Sequence, residues 1–188
     1  MVDLTLEGLL HAPELPAILK GGARVLMISN EHPEALERLT PDEGLKDDVR
    51  AAVTCCREAN TMTVTSEDGS DLRIDLSNSP VAGVWGWTDR PGTVAHWPGG
   101  VVVAFPKRHT VNGRLVMRPG DINLTFKRYL ESTVTLTIED DFVTEVQGDG
   151  LDAALMREYY TACGVVLAHQ RCIETVSLYF RYKVILNS

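Results

Sequence analysis

Ser132–Gly148 reads STVTLTIEDDFVTEVQG, and both of its arms alternate apolar and polar residues about Asp140-Asp141. Successive side chains of an extended chain point to opposite faces, so this period of two predicts paired strands around a tight turn, one face buried. Thr61–Leu76, TMTVTSEDGSDLRIDL, repeats the signature about Asp68-Gly69. A shorter stretch, His109–Met117 (HTVNGRLVM), is expected to pivot on Asn112-Gly113, since Asn-Gly suits the positive φ angles of a hairpin turn. Residues 60–148 are therefore expected to be mainly antiparallel β.

The flanks read differently. Ala23–Ser29, ARVLMIS, is a short apolar run after Gly21-Gly22 and predicts a strand, while His32–Leu39 and Glu43–Glu58 have helical patterning. Leu6–Leu10 reads as a helix end stopped by Pro13 and Pro16. Leu151–Cys163 predicts a helix with Leu151, Ala154, Leu155 and Tyr159 on its apolar face. The fold class expected is α/β with α+β character: a strand-helix start, an antiparallel β-rich middle with hairpins, and a C-terminal helix. Segments 1–59 and 60–163 are expected to form one continuous domain, followed by a tail at 164–188.

Composition narrows the partners. The 188 residues are 44% hydrophobic, enough for a sizeable core, and carry a formal charge of -8. The pI near 5.1 and the absence of any basic block longer than Lys107-Arg108 or Lys127-Arg128 argue against nucleic acid. Apolar runs such as Val101–Phe105 are far shorter than the roughly 18 residues of a membrane span. Met1–Leu10 carries acids where a signal peptide has bases, so a cytoplasmic location is expected, with no membrane partner. The cysteines, Cys55-Cys56, Cys163 and Cys172, do not form a disulfide framework and read as reduced thiols.

Glycine-rich phosphate loops, GxSxG, HExxH and CxxC are all absent from the sequence. Cys163, His169 and Cys172 are irregularly spaced and lack a fourth ligand, so no metal ligands are assigned. Two histidines stand apart. His11 follows apolar residues in GLLHAPEL, and His96 sits in Thr93–Phe105, TVAHWPGGVVVAF, just before an apolar run expected to be a buried strand. Histidine titrates near neutral pH, so either can exchange a proton with a substrate hydroxyl, or simply be a hydrogen-bonded structural residue. Trp97, Trp85 or Trp87 can wall an aromatic ligand or belong to the core.

GLLHAPEL (8–15), GVWGWTDRPGTVAHWPGG (83–100) and the stretch from Thr110 to Met156 together resemble the iron(II)-dependent 2,5-dihydroxypyridine 5,6-dioxygenases of nicotinate and nicotine breakdown. The likeness runs from about Leu6 to Tyr160. It implies ring opening of a small aromatic N-heterocycle by O2, with His11 and His96 as proton-transfer or hydrogen-bonding groups in one pocket; Trp97 is the substrate-binding candidate beside them, or a packing residue over the loop. It also implies Fe(II), held by two histidines and a carboxylate from a region after the helix expected to end near Cys163.

Beyond Tyr160 the likeness stops, and CGVVLAHQRCIETVSLYFRYKVILNS offers no matching ligand pair. The chain is thus expected to be a fragment of the dioxygenase that does not hold Fe(II) stably or turn over alone. Its tail reads either as a shifted reading frame or as a genuine strand, VSLYFRYKVIL being rich in β-branched and aromatic residues. Aminopeptidase T-type metallopeptidases are similar in the order of elements, but Gly100 stands where their loop carries a metal-binding glutamate. A peptidase, a non-catalytic remnant and a homo-oligomer remain open alternatives.

Overall fold

The computed structural model describes residues 1–5, 8–10, 12–28, 32–40, 42–123, 126–171 and 183–187. In chain order the elements begin β1 (Val2–Asp3), α1 (Leu15–Lys20), β2 (Val25–Met27), α2 (Pro33–Arg38), α3 (Leu45–Glu58), β3 (Thr61–Thr65), β4 (Asp71–Asp75), β5 (Val81–Val84) and β6 (Val94–His96). They continue with β7 (Val101–Ala104), β8 (Val111–Met117), β9 (Ile122–Asn123), β10 (Arg128–Tyr129), β11 (Val134–Glu139), β12 (Phe142–Gln147), α4 (Leu151–Arg171) and β13 (Lys183–Asn187). The mixture of helices and antiparallel sheets bears out the expected class. Residues Leu6, Glu7 and His11 lie outside the described set, and Gly8–Leu10 is not helical.

The chain gathers into two compact units. One comprises Met1–Cys56 with Pro80–Ala104, the other Arg57–Ser79 with Phe105–Ser188. In the first, β1, β2 and β6 form a parallel sheet in the order β1-β2-β6, joined in register at Asp3↔Met27 and Met27↔His96. Parallel neighbours require a crossover, and α1 supplies the one between β1 and β2. Leu15 of α1 closes over Val25 and Met27, which are buried together with support from Leu9, Ile18 and Leu19.

The second feature of this unit is the antiparallel pair β5–β7. Here the structure corrects an expectation: the run after His96 is not a buried strand. Val101 and Val103 are 49% and 38% exposed, because among the described residues β7 pairs with β5 alone and alternate side chains face outward. α3 approaches this ribbon at Gly83, where a Cβ would lie 2.5 Å from Val49 Cγ1 and 2.8 Å from Val53 Cγ2.

The second unit is built on a six-stranded antiparallel sheet in the order β12-β11-β8-β4-β3-β13. Val64, Leu72, Leu115, Val134, Leu136 and Ile138 form its core, with Ala153 and Met156 of α4 packed in. Two predicted hairpins are present. β3 and β4 join through Glu67-Asp68-Gly69, with Gly69 at φ +96, the three-residue loop that ends in a left-handed residue. β11 and β12 join through Asp140 (φ +50) and Asp141 (φ +75), the two positive φ angles of a type I′ turn.

The third predicted turn is corrected. Asn112-Gly113 lies inside β8, paired with β4 at Leu72↔Gly113 and with β11 at Ile138↔Gly113. A Cβ on Gly113 would meet Asp71 O at 2.1 Å, so the glycine serves close approach of two backbones inside a sheet. The apolar face of α4 is corrected as well. Leu151 is 61% exposed and Tyr159 37%, whereas Asp152, Ala153 and Met156 are buried. The helix continues past Cys163 to Arg171. In the tail, Lys183–Asn187 pairs antiparallel with β3, the strand alternative for that segment; Cys172 lies outside the described residues.

Candidate functional site

Ligands of parallel sheets bind outside the carboxyl ends of the strands, where the connecting loops diverge. In the first unit those ends are Asp3, Met27 and His96, one row across the sheet. With strands spaced about 4.8 Å, the backbones of Asp3 and His96 stand about 10 Å apart. Met27 is buried between them, and His96 is exposed.

Asp3 is committed to its own loop. Its carboxylate accepts hydrogen bonds from Thr5 Oγ1 (2.7 Å), Thr5 N (3.0 Å) and Leu9 N (2.7 Å). Chiefly the Thr5 hydroxyl and amide, and also the Leu9 amide, hold the Asp3 carboxyl below the usual carboxylate range against the opposing effect of burial. The Asp-x-Thr spacing of Asp3 and Thr5 is the signal in the sequence that announces this Asx-type loop. The chain resumes with Ala12 N donating to Leu9 O (3.0 Å) and Leu15 N to Ala12 O (3.1 Å). His11 itself falls outside the described residues, so its approach to His96 is not described.

Beyond His96 the loop is tightly organised. Trp97 N donates to Met27 O (2.9 Å), its ring is buried at 5% exposure, and the Trp97–Pro98 peptide is cis. The segment Trp85-Gly86 crosses directly against Pro98-Gly99: a Cβ on Gly86 would lie 2.2 Å from Pro98 O, and one on Gly99 2.3 Å from both Gly86 N and Trp85 C. Gly100 approaches the start of α3, with Leu45 Cδ1 3.6 Å from its Cβ position.

Lys46 on α3 pairs with Asp89, and its Nζ sits 5.3 Å from the centroid of the Trp85 ring; the Arg50 guanidinium lies 5.9 Å from the same ring. The hydrogen bond from Lys46 holds the Asp89 carboxyl below its ordinary value. Trp85 Nε1 is buried and has no hydrogen-bond partner among the described residues.

Among the described residues no group of three or more His, Cys, Asp or Glu side chains could hold a metal ion. At the strand ends the only described donors are His96 and Asp3, and the Asp3 oxygens already accept three hydrogen bonds. That donor set does not fit a facial two-histidine, one-carboxylate centre. Nor is any helix among the described residues long and apolar enough to cross a membrane.

Residues 1–170 match the family model described as NicX: 2,5-dihydroxypyridine 5,6-dioxygenase. A curated 2,5-dihydroxypyridine 5,6-dioxygenase from Pseudomonas putida KT2440 is 40% identical over 151 residues, which cover 80% of this chain and 43% of that protein. The solved structure of the 2,5-dihydroxypyridine dioxygenase from the same strain matches with a TM-score of 0.71 at 40% identity, over 80% of this chain and 43% of its own. The chain spans less than half the length of these relatives.

Proposed function

Because the chain belongs to the family of 2,5-dihydroxypyridine 5,6-dioxygenases, we propose that it forms the part of such an enzyme that receives the pyridine ring. The match of residues 1–170 to the family, with the 0.71 structural likeness at 40% identity, carries this reading. The reaction proposed for the whole enzyme is cleavage of a dihydroxypyridine ring by O2, so a small aromatic N-heterocycle and O2 are its substrates. His96 is assigned as the group that hydrogen-bonds a ring hydroxyl and takes its proton. Its place supports this: an exposed imidazole at the carboxyl end of a parallel strand, on a loop held from below by Trp97. Loss of that proton leaves an electron-rich ring, which oxygen attacks more readily. His11 is proposed to share the pocket.

The family's chemistry implies a metal cofactor, and Fe(II) is the metal we propose. No group of three or more ligating side chains stands among the described residues, and the proton transfer at His96 needs none. The proposal extends to a 188-residue protein that takes up no stoichiometric iron and does not cleave the ring, its ligands belonging to regions that the relatives have outside the match. Nothing observed supports the peptidase alternative.

Two measurements test this. Titration with 2,5-dihydroxypyridine, followed by tryptophan fluorescence, is expected to show saturable binding that His96→Ala weakens at least tenfold; equal affinity in the variant removes His96 from the pocket. Mass spectrometry after anaerobic iron loading, alongside oxygen uptake, is expected to show neither one iron per chain nor turnover. One bound iron with turnover overturns the placement of the ligands elsewhere.

A further inference from the structure

We infer that Gly86 and Gly99, fastened through the Lys46–Asp89 ion pair to α3, are the positioning residues that set where His96 stands. Among the described residues no hydrogen bond or ion pair reaches the His96 side chain, so what the described fold contributes to its position comes through the backbone. That backbone is fixed on one side by β2, through Trp97 N to Met27 O. On the other side it is fixed by the crossing of Trp85-Gly86 over Pro98-Gly99.

The crossing admits no side chain. Gly86 (φ +92) and Gly99 (φ +87) both lie in the left-handed region, and each would drive a Cβ into the opposing backbone at 2.2–2.3 Å. Backbone atoms cannot swing aside as a flexible side chain can, so an added methyl must part the two segments. Parting them moves the loop that begins one residue after His96. The Trp85 segment is itself tethered. Lys46, with a side chain only 21% exposed, pairs with Asp89 and lies against the Trp85 ring, so the loop from Trp85 to Asp89 is tied to a 14-residue helix. Among the described residues the buried Trp85 Nε1 has no partner either. An unpaired buried donor works against stability, which fits a segment held for its placement.

The test compares glycine variants matched for backbone strain. Gly22 has φ +83 with nothing within 4 Å of its Cβ position, so Gly22→Ala carries the left-handed penalty without a clash. Gly86→Ala and Gly99→Ala carry both. The first readout is the imidazole Cε1–H signal of His96 by NMR and its titration. The second, which rests on the function proposed above, is affinity for 2,5-dihydroxypyridine.

Gly86→Ala and Gly99→Ala are expected to move the His96 signal and to weaken binding at least tenfold, while Gly22→Ala changes neither. Lys46→Met and Asp89→Asn are expected to do the same to a smaller extent, about threefold, and they provide the readout should the glycine variants fail to fold. If the native chain does not bind the pyridine but the His96 signal still moves in the crossing variants, the functional reading fails and the positioning role stands. If folded crossing variants, or the Lys46 and Asp89 variants in their place, leave the His96 signal as in the native protein, the inference is overturned.

Discussion

At the scale of single residues, the positions that matter most are those where an atom has no room or a charge has no water. Gly113 is the first kind: with Asp71 O 2.1 Å from its Cβ position and a φ of +127, Gly113→Ala must strain β8 or part it from β4. A loss of about 3 kcal/mol is expected in urea unfolding. Asp152 is the second kind. At 2% exposure it accepts hydrogen bonds from Glu131 N (2.8 Å), Ser132 N (3.0 Å) and Ser132 Oγ (3.0 Å), with Arg128 at 3.5 Å. Burial alone raises its pKa, but the amides, the hydroxyl and the guanidinium outweigh it, and the carboxyl lies below its ordinary 3.8. The unfolded chain therefore binds this proton more readily than the folded one. The stabilisation is complete well above pH 3.8, declines as the pH falls through that value, and is lost below the folded pKa. Asp152→Asn is expected to cost about 2 kcal/mol at pH 7 and to flatten the acid limb of the stability profile. Trp85→Phe is expected to change stability by less than about 1 kcal/mol, because lost ring area is offset by removing an unpaired donor.

At the scale of elements, the β11–β12 hairpin shows how a turn legible in sequence does more than reverse the chain. The Asp141 carboxylate accepts from Thr110 N (3.0 Å) and Val111 N (2.8 Å) and from His109 N, tying the start of β8 to a turn distant in sequence. Asp141→Ala leaves these amides without their acceptor and puts alanine at φ +75 in the turn, and a loss of about 2–3 kcal/mol is expected by thermal or urea unfolding. The turn itself was readable because its φ requirements are local. That its second aspartate caps another strand was not, since nothing near Asp141 in sequence announces the partner. Helix α4 shows the same limit. Its apolar residues indicate Leu151, Ala154, Leu155 and Tyr159, yet the buried face is rotated to Asp152, Ala153 and Met156. The anchor is polar: the Asp152 carboxylate must reach the Glu131 and Ser132 amides, and a hydrophobicity pattern cannot see that.

At the scale of the whole molecule, the six-stranded sheet is the more closed structure and the β5–β7 ribbon the more open one. Amides of β4 and β8, each flanked by strands on both sides, are expected to exchange at least about 100-fold more slowly than those of β5 and β7. Hydrogen exchange read by mass spectrometry or NMR checks this, and equal protection would contradict it. The sequence by itself determined the antiparallel middle, two of its three turns, the β2 strand and helices α2, α3 and the first half of α4, but not α1, because period-two alternation, helical periodicity and positive-φ turn residues act over a few neighbouring positions. It also carried enough in the segments around His11 and His96 to indicate the family. The tertiary structure alone decided that Asn112-Gly113 runs straight through a strand, that α4 turns an aspartate inward, and that Trp85-Gly86 crosses Pro98-Gly99 behind His96. These are contacts between segments remote along the chain, where excluded volume and unpaired amides select the residue, and neither force leaves a periodic trace in the local sequence.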